Sequence, residues 1–310
     1  MRRAPRFWAL ILAGLAAGAT VALAQQQAFR GGVDLVRLPV AVRDKAGTLV
    51  RGLTAEDFQI FEDGKAQPIA FFAEGALGEG LPLHLGLLLD RSASMESDLR
   101  AASTAAIRFV GELEEAVDVT FMDFDSTIRV GRFSPPSYPL LFERIRGGQA
   151  SGRTALYDAV GLYATQSYER DGQHVLLLYT DGGDSTSSIT FGKLQDLLRL
   201  GNVLIYSVGY LQNETSSTTR QMGQTRLMQI AHETGGEAFF PTDKRDIEAA
   251  YKKILDELQG RYTIGYVPSN REPDGKFRKI EVRPSRPELK SLKMRTRSGY
   301  LAPRAVSIAK

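Results

Sequence analysis

The sequence predicts an α/β protein with a doubly wound, mostly parallel sheet, combined with a small all-β, sandwich-like domain. Two observations lead to this fold class. Between residues 81 and 260, continuous apolar runs alternate with amphipathic stretches, as in buried parallel strands covered by helices on both faces. On either side, at residues 33–80 and 261–303, short segments with alternating apolar and polar residues indicate antiparallel strands.

The first 24 residues have the pattern of an export signal. A basic start, MRRAPR, leads into an apolar stretch, and Ala22-Leu23-Ala24 is typical of a cleavage site. We therefore expect residues 1–24 to be removed, residues 25–32 to form a flexible leader, and the chain to be periplasmic or secreted. An uncleaved membrane anchor is the alternative, because the apolar stretch approaches the length of a spanning helix. After cleavage we expect no membrane span, since no second run of that length follows.

Composition excludes several classes of site and partner. The chain of 310 residues has no cysteine, so it has neither disulfides nor thiolate metal ligands. Residues 261–310 carry 13 Lys and Arg against 4 Asp and Glu, whereas residues 25–260 carry 23 against 32. Opposite net charges on two parts of one chain favour their mutual attraction, so we expect no nucleic-acid partner for the basic part.

The flanking strands are predicted from alternation and turn residues. In VRLPVAVRD, the apolar side chains from Val36 to Val42 fall on one face, and Asp63-Gly64 separates two apolar runs as in a hairpin. Further strands are predicted in RYTIGYVP, FRKIEVRP and LKMRTRSGYL, before a tail at 304–310. Each flank alone has few strands, so we expect both to pair into one β-domain with the α/β domain inserted between them. Two separate β appendages are the alternative.

Inside the α/β region, buried strands are predicted in LHLGLLLD, VTFMDFD, HVLLLYTD and NVLIYSVGY. The polar stretch Gln212–Arg226 is predicted to be a long loop after the last of these strands. Apolar periodicity predicts helices at Leu99–Leu113, Ala155–Ser167, Phe191–Leu200, Arg226–Thr234 and Ile247–Leu258.

Ligands of open α/β sheets bind outside the carboxyl ends of the strands, so the residues that follow each strand are the candidates. The first strand runs into Asp90, Ser92 and Ser94 at alternate positions, and the third long strand into Asp181. Thr154 precedes a helix after two glycine-containing steps. These groups offer oxygen and neither nitrogen nor sulfur, and two carboxylates with hydroxyls suit Mg²⁺, with Mn²⁺ possible.

These residues resemble the metal-ion-dependent adhesion site of von Willebrand factor type A domains. The resemblance covers about residues 81–260 and rests on D-x-S-x-S at 90–94, the Thr in GRTALYDA and TDG at 180–182. It implies direct metal ligation by Ser92, Ser94 and Thr154, with Asp90 and Asp181 acting largely through water. It also implies a protein partner whose Asp or Glu completes the metal shell. The flanks, including FQIFEDGKAQPIAFF and RSGYLAP, are similar to the arms of exported bacterial proteins related to this family.

The function expected from this site is metal-dependent protein binding, in adhesion or scaffolding, without catalysis. Four arginines near the predicted metal loops are candidates for a rim that meets an acidic partner: Arg91, Arg153, Arg220 and Arg226. Tyr157 and Asp158 are expected either to support the metal ligands from behind or to pack the start of a helix. Asp184 is expected to cap the helix that follows STSSIT, with an approach to the metal as the alternative.

Three other interpretations remain open. Asp and Ser are common helix caps, although capping does not account for Thr154 and Asp181. Asp123 and Asp125 in FMDFDST resemble the nucleophile motif of haloacid dehalogenase-like phosphatases, which also use Mg²⁺. A structural protein with a vestigial metal site is the third possibility.

A serine hydrolase is not expected. His84 and His174 start the strands whose other ends carry the site, too far away to act as a base. His232 lies late in a predicted helix, and the chain has no G-x-S-x-G motif.

Overall fold

The computed structural model describes residues 35–75, 80–212 and 215–304, so the predicted signal, the leader and nearly all of the predicted tail lie outside these ranges. Within them, the helices are α1 (Leu99–Glu112), α2 (Tyr138–Arg146), α3 (Leu156–Tyr168), α4 (Phe191–Leu200), α5 (Ser217–Thr234) and α6 (Lys244–Gly260). The strands are β1 (Val36–Arg43), β2 (Phe58–Glu62), β3 (Lys65–Gln67), β4 (Ile69–Glu74), β5 (Leu83–Asp90), β6 (Ala116–Phe124), β7 (Ile128–Phe133), β8 (Gln173–Thr180), β9 (Val203–Gly209), β10 (Ala238–Phe239), β11 (Tyr262–Tyr266), β12 (Phe277–Pro284), β13 (Lys293–Arg295) and β14 (Gly299–Leu301).

The central sheet has six strands in the order β10-β9-β8-β5-β6-β7, and all neighbours are parallel except β6 and β7. Strand β5 lies in the middle, and every one of its residues is buried. The chain leaves β5 for β6 on one side and later returns to β8 on the other. The strand order therefore reverses next to β5, which places a crevice at its carboxyl end.

Each face of this sheet is covered by three helices. Helices α1, α2 and α6 pack against the side chains of Leu85, Leu87 and Leu89, whereas α3, α4 and α5 pack on the face that carries Leu88. Successive residues of a strand point to opposite faces, so a strand buried on both sides must be apolar throughout. This explains the uninterrupted apolar runs of the sequence and confirms the predicted α/β fold class.

The flanking strands form two antiparallel sheets, β13-β1-β11-β4 and β14-β12-β2-β3. Each sheet combines strands from both ends of the chain, because β1 pairs with β11 and β2 pairs with β12. Their facing side chains, including Leu38, Val40, Ile60 and Tyr262, form one core. The structure thus confirms antiparallel sheets built from N- and C-terminal strands.

One local prediction holds and another is wrong. Asp63 and Gly64 both have positive φ between β2 and β3, as the hairpin signal requires. Gly235 ends α5 in the left-handed conformation. The predicted long loop Gln212–Arg226 is too long, because α5 begins at Ser217, where the Ser216 hydroxyl accepts the N–H of Thr219 as an N-cap. The sequence pattern also missed α2 and the edge strands β7 and β10.

Candidate functional site

The carboxyl ends of β5, β6 and β8 bring three polar loops to one edge of the sheet. Backbone hydrogen bonds join these loops: Ala93 N–H donates to the Gly152 carbonyl (3.2 Å) and Ser151 N–H to the Arg91 carbonyl (2.7 Å). A further bond runs from Ala155 N–H to the Asp125 carbonyl (2.8 Å). The D-x-S-x-S segment and the segment before α3 therefore lie side by side.

Asp90 is the last residue of β5 and its side chain is inaccessible to solvent, at 0% exposure. One carboxylate oxygen accepts the N–H of Ser92 (2.8 Å), and the other accepts the hydroxyl of Thr180 (2.5 Å). Burial raises the pKa of Asp90 to about 7, and the nearby charge of Asp181 acts in the same direction. Among the described residues, no cationic side chain forms an ion pair with this carboxylate.

Ser92 and Ser94 project from a short 3-10 turn over Ala93–Met95. Their hydroxyl oxygens are 3.1 Å apart, although Ser92 is buried and Ser94 is exposed. The turn thus points both hydroxyls at the same place, with one of them accessible from outside.

Thr154 is held beside this turn by the loop that follows β8. Its N–H donates to the hydroxyl of Ser185 (3.1 Å), and its carbonyl accepts the N–H groups of Ser185 (2.9 Å) and Thr186 (3.1 Å). The backbone of Thr154 is therefore fixed, while its hydroxyl makes no hydrogen bond to any residue in the described ranges.

Asp181 directly follows Thr180, whose hydroxyl accepts the N–H of Gly182 (3.1 Å) while donating to Asp90. The Asp181 carboxylate accepts the N–H of Gly183 (2.9 Å) and is half-buried. Gly182 has φ of +79°, and a Cβ there would lie 2.7 Å from the carbonyl oxygen of Gly223 in α5. The tight turn that places Asp181 therefore requires glycine.

The five predicted residues therefore lie on loops that contact one another and offer only oxygen. No group of three or more His, Cys, Asp or Glu side chains in the described part of the chain is arranged to hold a metal ion. This set instead combines two carboxylates with three hydroxyls, as hard divalent cations accept. A divalent cation also fits the burial of Asp90, because a buried carboxylate without a positive partner is costly.

Two acidic residues near the site have structural roles. Asp184 accepts the N–H of Tyr157 (3.2 Å) at the start of α3, so it caps α3 and not the following helix. The prediction that it caps the helix after STSSIT is wrong, because the hydroxyl of Thr190 caps α4 instead. Asp158 accepts the N–H groups of Ser188 (2.8 Å) and Ile189 (3.0 Å), which fastens the same loop to α3.

The structure removes Arg91 from the predicted rim. Its side chain is only 3% exposed, with Nη2 donating to the Arg144 carbonyl (3.0 Å) and Nε 3.5 Å from Asp123. A Cβ on Gly148 would occupy the position of this guanidinium, so the glycine makes room for it. Arg91 therefore supports the loop of residues 90–94 from beneath, and its guanidinium is not accessible at the surface.

The other three rim arginines are accessible to different degrees. Arg153 donates to the carbonyl of Ser185 from an exposed position beside Thr154. Arg220 is exposed on the first turns of α5. Arg226 is half-buried, with its guanidinium 4.1 Å from the centre of the Phe191 ring.

The alternative phosphatase nucleophile is engaged in ion pairs. Asp123 is buried at the end of β6, with its carboxylate 2.7 Å from Arg129 and 3.0 Å from Arg144. Asp125 pairs with Arg129 (3.0 Å) and accepts the N–H of Thr127 (2.7 Å). These contacts give both carboxylates a structural role and leave the phosphatase interpretation without geometric support.

The histidines lie where the sequence places them. His84 and His174 stack at the amino ends of β5 and β8, with ring centres 5.0 Å apart. His84 contacts Asp118 (3.0 Å), while Nε2 of His174 contacts the Arg170 carbonyl (3.0 Å). His232 is in the last turn of α5.

Sequence reasoning missed two residues that position the site. Thr180 connects Asp90 to the Asp181 turn, and Ser185 fixes Thr154. The first has a recognisable signal, since a hydroxyl at the end of a buried strand needs a polar partner. Ser185 lies in a polar loop, DGGDSTSS, where nothing separates it from its neighbours.

Comparison with known proteins agrees with this geometry. The family model described as von Willebrand factor type A domain matches residues 84–253. The chain belongs to this family. The match covers the whole central sheet except the first residue of β5 and begins six residues before Asp90. The comparison with curated proteins gave no match.

Solved structures with this fold include bacterial proteins of several kinds. The pilus adhesin SpaC from Lactobacillus rhamnosus GG has 10% identity and a TM-score of 0.50, and the similarity covers 86% of this chain and 52% of the adhesin. A von Willebrand factor type A protein from Catenulispora acidiphila has 12% identity and a TM-score of 0.48, covering 90% of this chain and 76% of that one. An aerotolerance-related membrane protein from Bacteroides fragilis has 17% identity and a TM-score of 0.47, covering 57% and 98%. At 10% identity, the similarity to the adhesin indicates a shared fold and nothing further.

None of the helices in the described ranges is long and apolar enough to cross a membrane.

Proposed function

We propose that this protein is an exported protein-binding module that holds a divalent cation, Mg²⁺ or Mn²⁺, at the carboxyl end of β5. The observation that carries the proposal is the position of Asp90, buried without a cationic partner among oxygen donors on two neighbouring loops. A bound cation would supply the positive charge that the described side chains do not. Ser92, Ser94 and Thr154 would bind the cation directly, and Asp90 and Asp181 would hold it largely through water.

The residues of the proposed site have two different roles. Ser92, Ser94 and Thr154 offer hydroxyl oxygens from two adjacent loops, and the Thr154 hydroxyl is free of hydrogen bonds to described residues. Asp90 and Asp181 balance the charge, with Thr180 fixing the spacing between them. Two carboxylates leave a divalent cation able to accept a third, which an Asp or Glu of the protein partner would supply.

A groove beside the site could take the rest of the partner. It is a cavity of about 620 Å³ lined by α1 and by residues 146–150. One wall begins next to the proposed metal loop, residues 90–94, and includes Glu96 and Arg100. The other wall ends at Ala150, four residues before Thr154. A segment that places its carboxylate at the metal can therefore extend directly into this groove.

On the opposite side, the start of α5 forms the rim. Its backbone at Gly223 packs against Asp181 and Gly182, so the exposed residues of this turn stand next to the site. Arg153 and Arg220 are exposed there, together with Met222, which is 57% exposed. These side chains would contact an acidic partner that also has apolar residues.

Calorimetric titration of the chain from Gln25 with Mg²⁺ and with Mn²⁺ tests the metal site. We expect one-site binding that is at least tenfold weaker in Thr154→Ala, because a hydroxyl ligand is lost while the backbone contacts of residue 154 remain. Thr186→Ala, in the adjoining loop, is the matched control and should bind as the wild type does. Equal affinity in all three proteins would contradict the role of Thr154.

The partner is tested with a peptide display library, panned on the immobilised chain with Mg²⁺ and eluted with a chelator. We expect the eluted peptides to share an Asp or Glu at one position, and to bind Thr154→Ala more weakly. Peptides without a shared acidic residue, or retained equally in chelator, would overturn the metal-carboxylate mechanism.

Export is tested separately. Expression of the whole chain in a bacterium, followed by sequencing of the amino terminus of the protein outside the cytoplasm, should give Gln25 as the first residue. A full-length protein in the cytoplasm would contradict it.

A further inference from the structure

A second candidate site lies at the other end of the central sheet, where the strands begin. A small cavity of about 30 Å³ lies between the amino end of β8 and the strands β1 and β11 of the sandwich and is partly open to solvent. It therefore lies at the joint between the α/β region and the β-sandwich. Its polar lining comes from Arg37, Gln173, His174, Asn202, Arg261 and Thr263.

Arg261 is the central group of this cavity. It connects the end of α6 to β11, and only 4% of the residue is exposed. Its Nη2 donates to the side-chain oxygen of Gln173 (2.6 Å), but Nε and Nη1 are buried and have no hydrogen-bond partner among the described residues. Buried N–H donors in folded proteins nearly always have a protein, water or ion partner, so these two require one.

Arg37 contributes a third donor from β1, the strand paired with β11. Its Nε is also buried without a hydrogen-bond partner. Neither Arg37 nor Arg261 forms an ion pair with a described residue, and the cavity lining contains no Asp or Glu. Two guanidinium groups, one buried and one half-buried, thus line one small cavity whose lining has no counter-charge, an arrangement that is unfavourable unless something negative binds.

The neighbouring titratable groups do not supply that charge. Burial lowers the pKa of His174, which keeps its imidazole neutral at neutral pH. Asp118, whose charge acts on His174, is already held by Arg170 (2.7 Å) and His84 (3.0 Å).

We propose that this cavity binds a small monovalent anion of the size of chloride, held by Nε and Nη1 of Arg261 and Nε of Arg37. The volume matches one monatomic ion or about one water molecule and is too small for a tetrahedral oxyanion. The anion contacts side chains of the sandwich next to the start of β8. It thereby stabilises the packing of the sandwich against the α/β region. This site is independent of the proposed metal site, which lies at the opposite edge of the sheet.

Anomalous diffraction from crystals grown in bromide tests the occupant directly. We expect a bromide peak within hydrogen-bonding distance of both guanidinium groups. The absence of an anomalous peak, with a water refined at that position, would show that water satisfies the donors and would overturn the proposal.

Thermal unfolding tests it in solution. At constant ionic strength, replacing gluconate by chloride should raise Tm by roughly 3 °C once chloride exceeds its Kd about tenfold, because only the folded chain has the site. Arg261→Gln and the milder Arg37→Gln should each lose this chloride response, while Arg132→Gln, at an exposed position on β7, should keep it. A wild-type Tm independent of chloride, or a response unchanged in both cavity variants, would contradict the proposal.

Discussion

Within the described part of the chain, Asp90 at the carboxyl edge of the central sheet is buried without a cationic partner, whereas Arg261 at the amino edge is buried without an anionic one. Between these extremes, Glu257 in α6 is just as buried but fully paired: Arg295 (2.5 Å), Arg43 (2.6 Å) and the hydroxyl of Tyr206 (2.7 Å) all contact its carboxylate. The comparison separates charges that hold the fold together from charges that await a ligand. Burial is common to all three sites, and only the presence of a protein counter-charge differs.

The paired site should respond most strongly to mutation. Glu257→Ala should lower the free energy of unfolding by about 3 kcal/mol, because it removes the buried carboxylate that Arg43, Arg295 and Tyr206 contact and leaves both half-buried guanidinium groups with Glu237 alone. Urea unfolding measures this, with Glu248→Ala as the control. Glu248 forms an exposed ion pair with Arg108, which contributes about 1 kcal/mol or less. A Glu257 variant as stable as the control would mean that these contacts are not structural.

The Glu257 carboxylate also determines how the stability of the protein should change with pH. Burial by itself would raise the pKa of Glu257, but Arg295, Tyr206 and Arg43 together hold it below the ordinary value. A carboxyl group with a lowered folded pKa stabilises the protein above its unfolded pKa. This contribution is therefore lost as the pH falls below about 4.5. The acid sensitivity of the wild type should be smaller in Glu257→Gln.

The unpaired carboxylate should behave in the opposite way. Asp90→Asn keeps an oxygen for the Ser92 N–H and removes the buried charge, so in chelator the variant should be as stable as the wild type or about 1–3 kcal/mol more stable. Mg²⁺ binding should fall by about 10- to 100-fold. Denaturant unfolding with and without Mg²⁺ measures both effects. A strong loss of stability in chelator would place Asp90 with Glu257, among the structural charges.

The next largest effect on stability is expected from the backbone conformation of Gly182. Gly182→Ala should lower the free energy of unfolding by about 1–3 kcal/mol and weaken Mg²⁺ binding, because the residue has φ of +79° and its Cβ would press on Gly223. Gly192→Ala in α4 is the matched control. A Cβ there meets nothing within 4 Å, so the change should be neutral or stabilising. Equal stabilities of the two variants would show that the Asp181 turn is not constrained.

The sequence was most informative where one physical rule decides the structure. Buried parallel strands must be apolar on both faces, which is why the runs that contain Leu85–Leu89 and Leu176–Leu178 predicted the α/β fold. The candidate site followed from strand ends carrying oxygen donors. The edge strand β7 was missed because it alternates irregularly and is only half-buried, and α2 because prolines interrupt its start.

Side-chain contacts between distant segments could not be predicted in this way. Nothing in the sequence distinguishes Arg91, which is buried against Gly148, from Arg153, which is exposed. Both precede polar residues at the ends of loops, and only the path of residues 144–151 decides which is covered. The same holds for Arg261, whose cavity forms between β1, β8 and β11, segments more than 80 residues apart in the chain.

The smallest expected effect concerns the groove beside the metal loops. Arg100 and Arg146 line it from opposite walls, and Glu96 is the only acidic residue of its described lining, so the groove carries a net positive charge. Replacing both arginines by Glu should weaken a selected acidic peptide by about tenfold through charge repulsion, while Mg²⁺ affinity stays within about twofold. The Arg132→Glu variant, on the edge strand away from the groove, should bind the peptide as the wild type does.

Calorimetry with the peptide and with Mg²⁺ separates the two effects. If the double variant had equally reduced affinities for Mg²⁺ and for the peptide, these arginines would support the proposed metal site and would not contact the peptide. An unchanged peptide affinity would mean that the bound peptide extends from the metal across the start of α5 and not into the groove.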